Sequence, residues 1–154
     1  MSRGLNEFIE YLAGVIAADA SLKTWCQTTF GQAHTVMVGV DPSDYPQIET
    51  YAPLVILNHG TRGVTDDIEM QSGSVRAACV IKDTNKLALS SGIWKHTGPQ
   101  RLDDFTNLVM KLVLNSIKSD NYYFQSISSG PDDVIAPPLF QSFFGIEIQF
   151  DSDF

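Results

Sequence analysis

The closing segment of the chain alternates strictly between large apolar side chains and polar or small ones. The apolar positions are Phe144, Ile146, Ile148 and Phe150. The positions between and after them are Gly145, Glu147, Gln149 and Asp151. Because successive side chains of a strand point to opposite faces of a sheet, this pattern predicts a strand with one face in a core. If that strand lies at a sheet edge, it is available to extend the sheet of a neighbouring subunit.

Two other segments have apolar side chains at helical spacing. In residues 5–19 these are Leu5, Phe8, Ile9, Leu12 and Ile16. In residues 102–118 they are Leu102, Phe105, Leu108, Val109, Leu112, Val113 and Ile117. Each stripe predicts an amphipathic helix with one face packed against a core. Residues 21–32 are compatible with either a second short helix or a loop.

Three β-rich runs precede the second helix, at residues 35–40, 53–58 and 75–82. Each predicts a strand, and a further β-rich run at 86–93 follows the polar turn 83–85. Residues 58–73 are rich in glycine and polar side chains, and they predict a mobile, hairpin-like loop.

The order of these elements indicates the fold class. Helix, strands, helix and strands in succession favour one α+β domain over residues 1–154, with a mainly antiparallel sheet and two principal helices on one face. The other face of such a sheet is either open to water or covered by another subunit.

The cysteines and tryptophans are expected inside the protein. Cys26 and Cys79 lie in apolar or aromatic surroundings and are predicted to be buried and reduced, with a disulfide as the alternative. Trp25 and Trp94 are expected in the core, with an interface role as the alternative. The N-terminus lacks the pattern of a secretory signal, and no apolar run is long enough to span a membrane, so a cytoplasmic setting is expected.

Charge is unevenly distributed along the chain, whose net charge is −8. Residues 1–75 carry three basic and nine acidic side chains, residues 76–118 seven basic and three acidic, and residues 119–154 six acidic only. A strongly acidic chain argues against coating of nucleic acid, which requires clustered Lys and Arg. The basic middle and acidic ends are consistent with a dispersed, solvated surface or with subunits that meet through opposite charges.

Motifs of catalysis and cofactor binding do not occur in the sequence. There is no phosphate-binding glycine loop, no G-x-S-x-G, no C-x-x-C and no H-E-x-x-H, so neither catalytic residues nor a cofactor are predicted. His34 and His96 are interpreted as structural histidines. One cluster in the predicted loop resembles a cation site only in its residue types, and a solvated loop tip is the favoured interpretation. Its members are His59, Asp66, Asp67 and Glu69.

The layout of the whole chain resembles that of the tail-terminator, or tail-completion, proteins of long-tailed bacteriophages and prophages. The matching features are the first helix, the strands at 36–40 and 53–58, the β-rich centre with its loop, the helix at 102–118, and the Pro-rich loop and strand that close the chain. The resemblance covers nearly all of the chain and includes no short diagnostic motif.

The resemblance implies a structural role without catalytic residues. Such a protein forms a hexameric ring that caps the completed tail tube and presents a surface to the head–tail connector protein. Its expected partners are therefore further copies of itself, the tail tube protein and the connector, and its location is the host cytoplasm during assembly and then the virion tail. A ring requires a heterologous interface, in which two different patches meet.

The segments 58–73 and 121–138 and the basic centre provide the candidate interface residues. These are Arg62, Asp66, Asp67, Arg76, Lys82, Lys86, Asp132 and Asp133. Three alternatives remain at this level: another head–tail or neck joining protein, a metal-assisted hydrolase that uses the 59–69 cluster, and a small-ligand binding module on an open sheet face.

Overall fold

A computed structural model of the chain describes residues 4–39, 45–64, 70–119, 123–129, 134–136 and 138–151. The helices in these ranges are α1 (Leu5–Ala18), α2 (Ala20–Phe30), α3 (Tyr45–Tyr51) and α4 (Gly98–Ser119). The strands are β1 (Thr35–Val38), β2 (Leu54–Val64), β3 (Met70–Lys82), β4 (Lys86–Ser90), β5 (Ile93–His96), β6 (Tyr123–Ser129), β7 (Val134–Ala136) and β8 (Leu139–Asp151). The fold class is α+β, as predicted.

The main sheet has the strand order β1-β2-β3-β8-β6, and β7 also pairs with β8. β1 runs parallel to β2, and the other pairs are antiparallel. The long central pair joins β3 and β8 from Met70 opposite Asp151 to Lys82 opposite Leu139. The predicted closing strand is therefore confirmed, and it lies inside the sheet instead of at an edge, because β3 and β6 flank it. β1 is the outer strand on one side of the described sheet, and β6 and β7, which both pair with β8, lie on the other.

Three helices cover one face of the sheet and form the main core. The stripe of α1 predicted from sequence is buried, and so are Leu102, Phe105, Val109, Val113 and Ile117 of α4. Of the other two residues predicted for the α4 stripe, Leu112 is half-buried and Leu108 is exposed. The buried side chains pack against alternate residues of β2, β3 and β8, including Leu57, Ala77 and Ile146. Burying each large apolar side chain contributes roughly 1.5–3 kcal/mol, so this face supplies most of the stability.

The opposite face is only partly open, which the sequence interpretation did not anticipate. α3 connects the parallel strands β1 and β2, and its Ile48 packs with Leu54, Ile56 and Val80 in a second, smaller cluster. These strand residues have the parity opposite to that of the main core. The next residue of this parity on β3, Arg76, is exposed, and Ser74 and Ser72 beyond it are half-buried.

A sharp corner joins α1 to α2. Asp19 ends α1 in an extended conformation, and its carboxylate accepts a hydrogen bond from the Leu22 N–H at 2.8 Å, which caps α2. Gly31 ends α2 with φ of 82°, and its N–H donates to the Gln27 carbonyl at 3.0 Å. Glycine adopts this left-handed backbone without strain, so Gly31 is a favourable C-cap. Of the two structures predicted for residues 21–32, a helix or a loop, the helix is therefore the one that forms.

α4 begins one turn earlier than predicted. Gly98 and Pro99 lie in its first turn, where proline loses no helical hydrogen bond. The Gly98 position is tightly enclosed, because a Cβ atom built there would lie 2.7 Å from Cδ2 of the buried Phe140 ring and closer still to its outer carbons. Glycine at this position therefore allows the start of α4 to press directly on β8.

The segment 58–73 is hairpin-like, as predicted, but its described residues form paired strands instead of an irregular loop. Residues 58–64 extend β2 and residues 70–73 belong to β3, and the two strands pair from Leu54 opposite Val80 to Val64 opposite Gln71. The glycines and polar residues that suggested a loop lie in strands here, because β3 also pairs with β8 as far as Met70. Residues 65–69 lie outside the described part of the chain.

The cysteines are free and buried, as predicted. Burial raises the pKa of the Cys26 thiol to about 12, and a hydrogen bond from the His34 backbone offsets part of the rise. Burial likewise raises the pKa of Cys79 to about 12, against the opposing effect of a hydrogen bond with the Thr106 side chain. Both groups are therefore thiols at neutral pH, without the reactivity of a thiolate.

His34 has the structural role expected from sequence. Its Nε2 lies 2.6 Å from the Ile16 carbonyl oxygen, and its side chain is buried. The hydrogen bond ties the start of β1 to the last turn of α1.

Candidate assembly interface

The β4–β5 hairpin extends from the domain without packing against the core. Every residue of both strands is exposed. Four of them are large apolar side chains, and Trp94 and Leu89 keep 68% and 62% of their surface accessible. The other two are Leu87 and Ile93. Several large apolar side chains exposed together on one element indicate an interaction site.

Both faces of the hairpin carry apolar groups. Leu87 pairs with Lys95 on one face, and Ala88 pairs with Trp94 on the other. A two-residue connection that includes Gly92, with φ of 81°, joins the strands, and the register shifts beside it. Since neither face is buried, the hairpin differs from an ordinary outer strand pair, which alternates between an apolar inner face and a polar outer face.

A buried carboxylate anchors the base of the hairpin. Asp83, whose side chain is fully buried, accepts hydrogen bonds from the Asn85 backbone N–H at 2.7 Å and the Thr97 hydroxyl at 2.8 Å. It also accepts one from Arg101 Nη1 at 3.1 Å. The Asp83 N–H donates to the Pro138 carbonyl at 2.9 Å. Both ends of the hairpin are thus tied to α4 and to the start of β8, so the apolar arm is held in one direction.

Two of the predicted interface residues lie at this end of the sheet. Lys82 and Lys86 flank the Asp83 anchor and are exposed, and Lys82 Nζ forms an ion pair with Glu49 Oε1 at 3.0 Å. Both side chains of that pair are about half exposed, so the pair contributes little stability. With Lys95, these lysines give the hairpin and its base a basic character.

Arg76 lies elsewhere. It is exposed on β3, opposite Asn58 on β2 and Gly145 on β8. Six residues of strand separate it from Lys82, which corresponds to about 20 Å. The structure therefore does not bring Arg76 together with the lysines at the hairpin.

Arg62 belongs to β2, where it pairs with Gly73 beside a register shift. The other interface candidates fall outside the described ranges, and the structure does not place them. These are Asp66, Asp67, Asp132 and Asp133.

The candidate cation cluster is not assembled by the described residues. His59 is exposed, and its Nε2 is hydrogen-bonded to Asn6 Oδ1 at the start of α1. Asp66, Asp67 and Glu69 lie outside the described ranges. Among the residues that are described, no group of three or more His, Cys, Asp or Glu side chains is arranged to hold a metal ion.

Two of the concave sites that described residues form are small, and polar groups line much of each. One of about 290 Å³ lies between the first turn of α1 and His59. Another, of about 220 Å³, lies at the hairpin base between Phe30, Asp83 and Arg101. Neither is the apolar pocket that a small-ligand binding module requires.

The core assignment of Trp94 is wrong, whereas that of Trp25 is correct. Trp25 stacks on the buried Phe105 ring with centroids 6.2 Å apart, and it meets Phe30 edge to face at 5.6 Å. Trp94 makes no aromatic contact with another described residue, and it is exposed on the hairpin. Lys86 precedes Leu87 and Lys95 follows Trp94 in the sequence, and these charges could have indicated that the hairpin is exposed.

The arrangement is suited to binding another macromolecule. It combines rigid anchoring, exposed aromatic and aliphatic side chains, and positive charge, which are the features of interface anchors.

No protein-family model matches this chain, and no curated protein matches it. None of the helices in the described ranges has the length and apolar character needed to cross a membrane.

Proposed function

We propose that this chain is a structural protein of a long-tailed phage or prophage, which caps the completed tail tube as a hexameric ring and offers a joining surface to the head connector. The observation that carries the proposal is the anchored β4–β5 hairpin with Leu87, Leu89, Ile93 and Trp94 exposed. An apolar arm outside the core is explained by a role in assembly, in which a partner removes it from water. The order of helices and strands along the chain, which resembles that of tail terminators, supports this kind of assembly.

The partners in this proposal are further copies of the chain, the tail tube protein and the head–tail connector protein. The location is the host cytoplasm during assembly and afterwards the virion tail. Subunits in a closed ring meet through two different patches. A projecting hairpin supplies one such patch, and its basic charge is opposite in sign to the net charge of the chain.

The proposal is tested first by the solution mass of the purified protein, measured by light scattering over a concentration series with and without magnesium. We expect a species of about six subunits at high concentration, which negative-stain images show as a ring. Isolated tail tubes mixed with the protein should then acquire one cap at a single end, with no binding along the tube wall.

Two results would oppose this function. One is a monomer at every concentration that leaves both tube ends bare. The other is a magnesium-dependent rise in thermal stability that His59→Ala abolishes, because that behaviour indicates a metal-dependent protein instead.

A further inference from the structure

β1 forms an open edge of the main sheet. The Thr35 and Gly39 N–H groups donate to carbonyl oxygens on the β2 side at 2.9 Å and 3.1 Å. Because successive backbone amides of a strand point to opposite sides, those of Val36 and Val38 point away from β2. In the described part of the chain, no strand pairs with that side of β1. Such an edge is a template for an additional strand.

The surroundings of this edge are apolar and acidic. Val38 keeps 47% of its side chain exposed, although it belongs to a strand. α1 packs along β1, and the exposed residues of α1 include Glu7 and Glu10. Within the described ranges, neither glutamate takes part in an ion pair.

The hairpin complements this edge in charge and in length. It carries Lys86 and Lys95 and no acidic residue. β4 has five residues and β1 has four, so the two can pair over the full length of the edge. β4 and β5 pair only with each other among the described strands, so each retains a free outer edge.

The other outer strand, β6, is a less suitable site. α4, which packs against β6, exposes both acidic and basic side chains, namely Asp103, Asp104 and Lys111. A surface that carries both signs of charge attracts the basic hairpin less than a purely acidic one does. The charge pattern therefore selects the β1 edge.

We propose that the β4–β5 hairpin of one copy of this chain docks on the β1 edge of the next copy, where it extends the sheet and covers Val38. The lysines of the hairpin then approach the acidic helix α1 of the receiving copy, whose exposed residues include Glu7 and Glu10. Strand addition of this kind obtains affinity from backbone hydrogen bonds and selectivity from side chains. The contact joins two different surfaces, so repeated use of it closes a ring or extends a filament. This inference deepens the proposed function, on which its biological setting rests.

Cysteine cross-linking tests the contact directly. Val38→Cys protein is mixed with Leu87→Cys, Leu89→Cys or Trp94→Cys protein and treated with a short thiol cross-linker. The native cysteines are buried, so they do not compete. We expect a cross-linked dimer only in the mixtures, and at most a trace of one with Val38→Cys or a hairpin variant alone.

Lys111→Cys is the matched control for Val38→Cys, because it places a thiol on an exposed site of α4. Its mixtures with the hairpin variants should give no cross-linked dimer. Cross-linking of hairpin variants among themselves would overturn the proposal in favour of a symmetric contact between hairpins. Absence of cross-links in the mixtures, under conditions where the unmodified protein associates, would overturn it as well.

Charge reversal tests the pairing of the two surfaces. Glu7→Lys/Glu10→Lys and Lys86→Glu/Lys95→Glu should each weaken self-association at least about tenfold, and an equimolar mixture of the two variants should recover part of it. Asp103→Lys/Asp104→Lys is the control for the first variant and should leave association unchanged. Circular dichroism checks that each variant is folded. Failure of the mixture to recover any association contradicts the proposed contact.

The two proposals fail in distinguishable ways. A ring that caps tail tubes but gives no cross-link between β1 and the hairpin would retain the function and refute the contact. Oligomers cross-linked as expected, but without affinity for tail tubes or the connector, would retain the contact and refute the function.

Discussion

At the residue scale, a single carboxylate determines how the projecting arm is held. Asp83 has no exposed side-chain surface, and the groups that satisfy it come from the turn after β3, the end of the hairpin and the first turn of α4. A buried carboxylate with several charge-assisted or backbone hydrogen bonds is costly to disrupt. The orientation of the hairpin is therefore coupled to the stability of the domain through Asp83.

Replacing Asp83 should destabilise the protein. For Asp83→Ala we expect a loss of about 2–3 kcal/mol in the free energy of unfolding, because the Thr97, Asn85 and Arg101 donors lose their acceptor. Urea denaturation followed by circular dichroism measures it. Asp104→Ala is the control, since Asp104 is exposed and bonded only to Gln100 among the described contacts, and it should change the value by less than about 0.5 kcal/mol. Equal stability of the two variants would refute the anchoring role.

A glycine at the start of α4 has a packing role. Gly98→Ala should destabilise the protein by about 1–3 kcal/mol, because the added methyl group overlaps the Phe140 ring and the buried ring has little room to move. Gly14→Ala is the matched control. Nothing lies within 4 Å of its added Cβ, so the substitution should stabilise α1 by about 0.5–1 kcal/mol. Thermal unfolding of the two variants should shift in opposite directions, and a shift in the same direction would contradict the close contact.

The buried thiols should be unreactive in the native state. With a pKa of about 12, the thiolate fraction of Cys26 or Cys79 at pH 8 is on the order of 10⁻⁴, against roughly a quarter for an ordinary thiol. Labelling with a thiol reagent should therefore follow unfolding, and its rate should increase with urea. Fast labelling of the native protein at pH 8 would show that a thiol is accessible.

The same pKa values predict a loss of stability in alkali. Above about pH 9 the unfolded chain releases the thiol protons while the folded protein retains them until about pH 12, so stability falls as pH rises through this interval. Denaturation midpoints at pH 8 and pH 10 measure the decline. The Cys26→Ala/Cys79→Ala variant should show a smaller decline, and an identical one would show that the thiols do not contribute.

At the scale of elements, the β4–β5 hairpin is unusual because its large apolar side chains are exposed to solvent. A two-stranded hairpin is marginally stable by itself in water, and this one is not supported by packing on the domain. The hydrogen bonds of Asp83 stabilise the hairpin at its base. Its apolar side chains remain exposed, in contrast to the buried stripes of α1 and α4.

Tryptophan fluorescence reports the state of this element. In a Trp25→Phe variant, emission comes only from Trp94, and the dilute protein should show the spectrum of a solvent-exposed indole. Raising the concentration should shift that emission to the blue as the hairpin is covered. The complementary Trp94→Phe variant should show buried emission from Trp25 at every concentration. Blue-shifted Trp94 emission in the verified monomer would contradict the exposed hairpin.

At the scale of the whole molecule, charge and shape provide two different surfaces. The basic hairpin and its base lie at one end of the central strands, and the edge of β1 with Val38 exposed lies beside the acidic helix α1. This asymmetry favours association of identical copies through unlike patches and opposes association through like ones.

In the proposed ring, self-association should depend on salt, because part of its free energy is the attraction between exposed charges. Raising the salt from about 0.05 M to about 0.5 M should weaken association several-fold without abolishing it, since the apolar contact is not screened. Light scattering at both salt concentrations measures this. Leu89→Ser/Trp94→Ser should weaken association at both concentrations and leave the unfolding free energy within about 0.5 kcal/mol. Association that is stronger in high salt would show that opposite charges do not contribute.

Local sequence patterns determined much of the fold. Periodicity and composition predict most of the buried stripes of α1 and α4, the closing strand and the buried thiols. They do so because the spacing of apolar side chains over one or two helical turns, or a few strand residues, defines the face that is buried. Asp19 and Gly31 were also local signals for α2, through a side-chain cap and a left-handed backbone.

Only the tertiary structure decided where each strand lies and which apolar side chains are covered. The alternation that placed β8 in a core did not reveal that β3 and β6 flank it, and the β-rich run with Trp94 looks in sequence like a core strand. The glycines of the β2–β3 hairpin suggest a loop until pairing with β8 is known. These outcomes depend on contacts between residues far apart in sequence, and the environment of a strand is set by its neighbours in space.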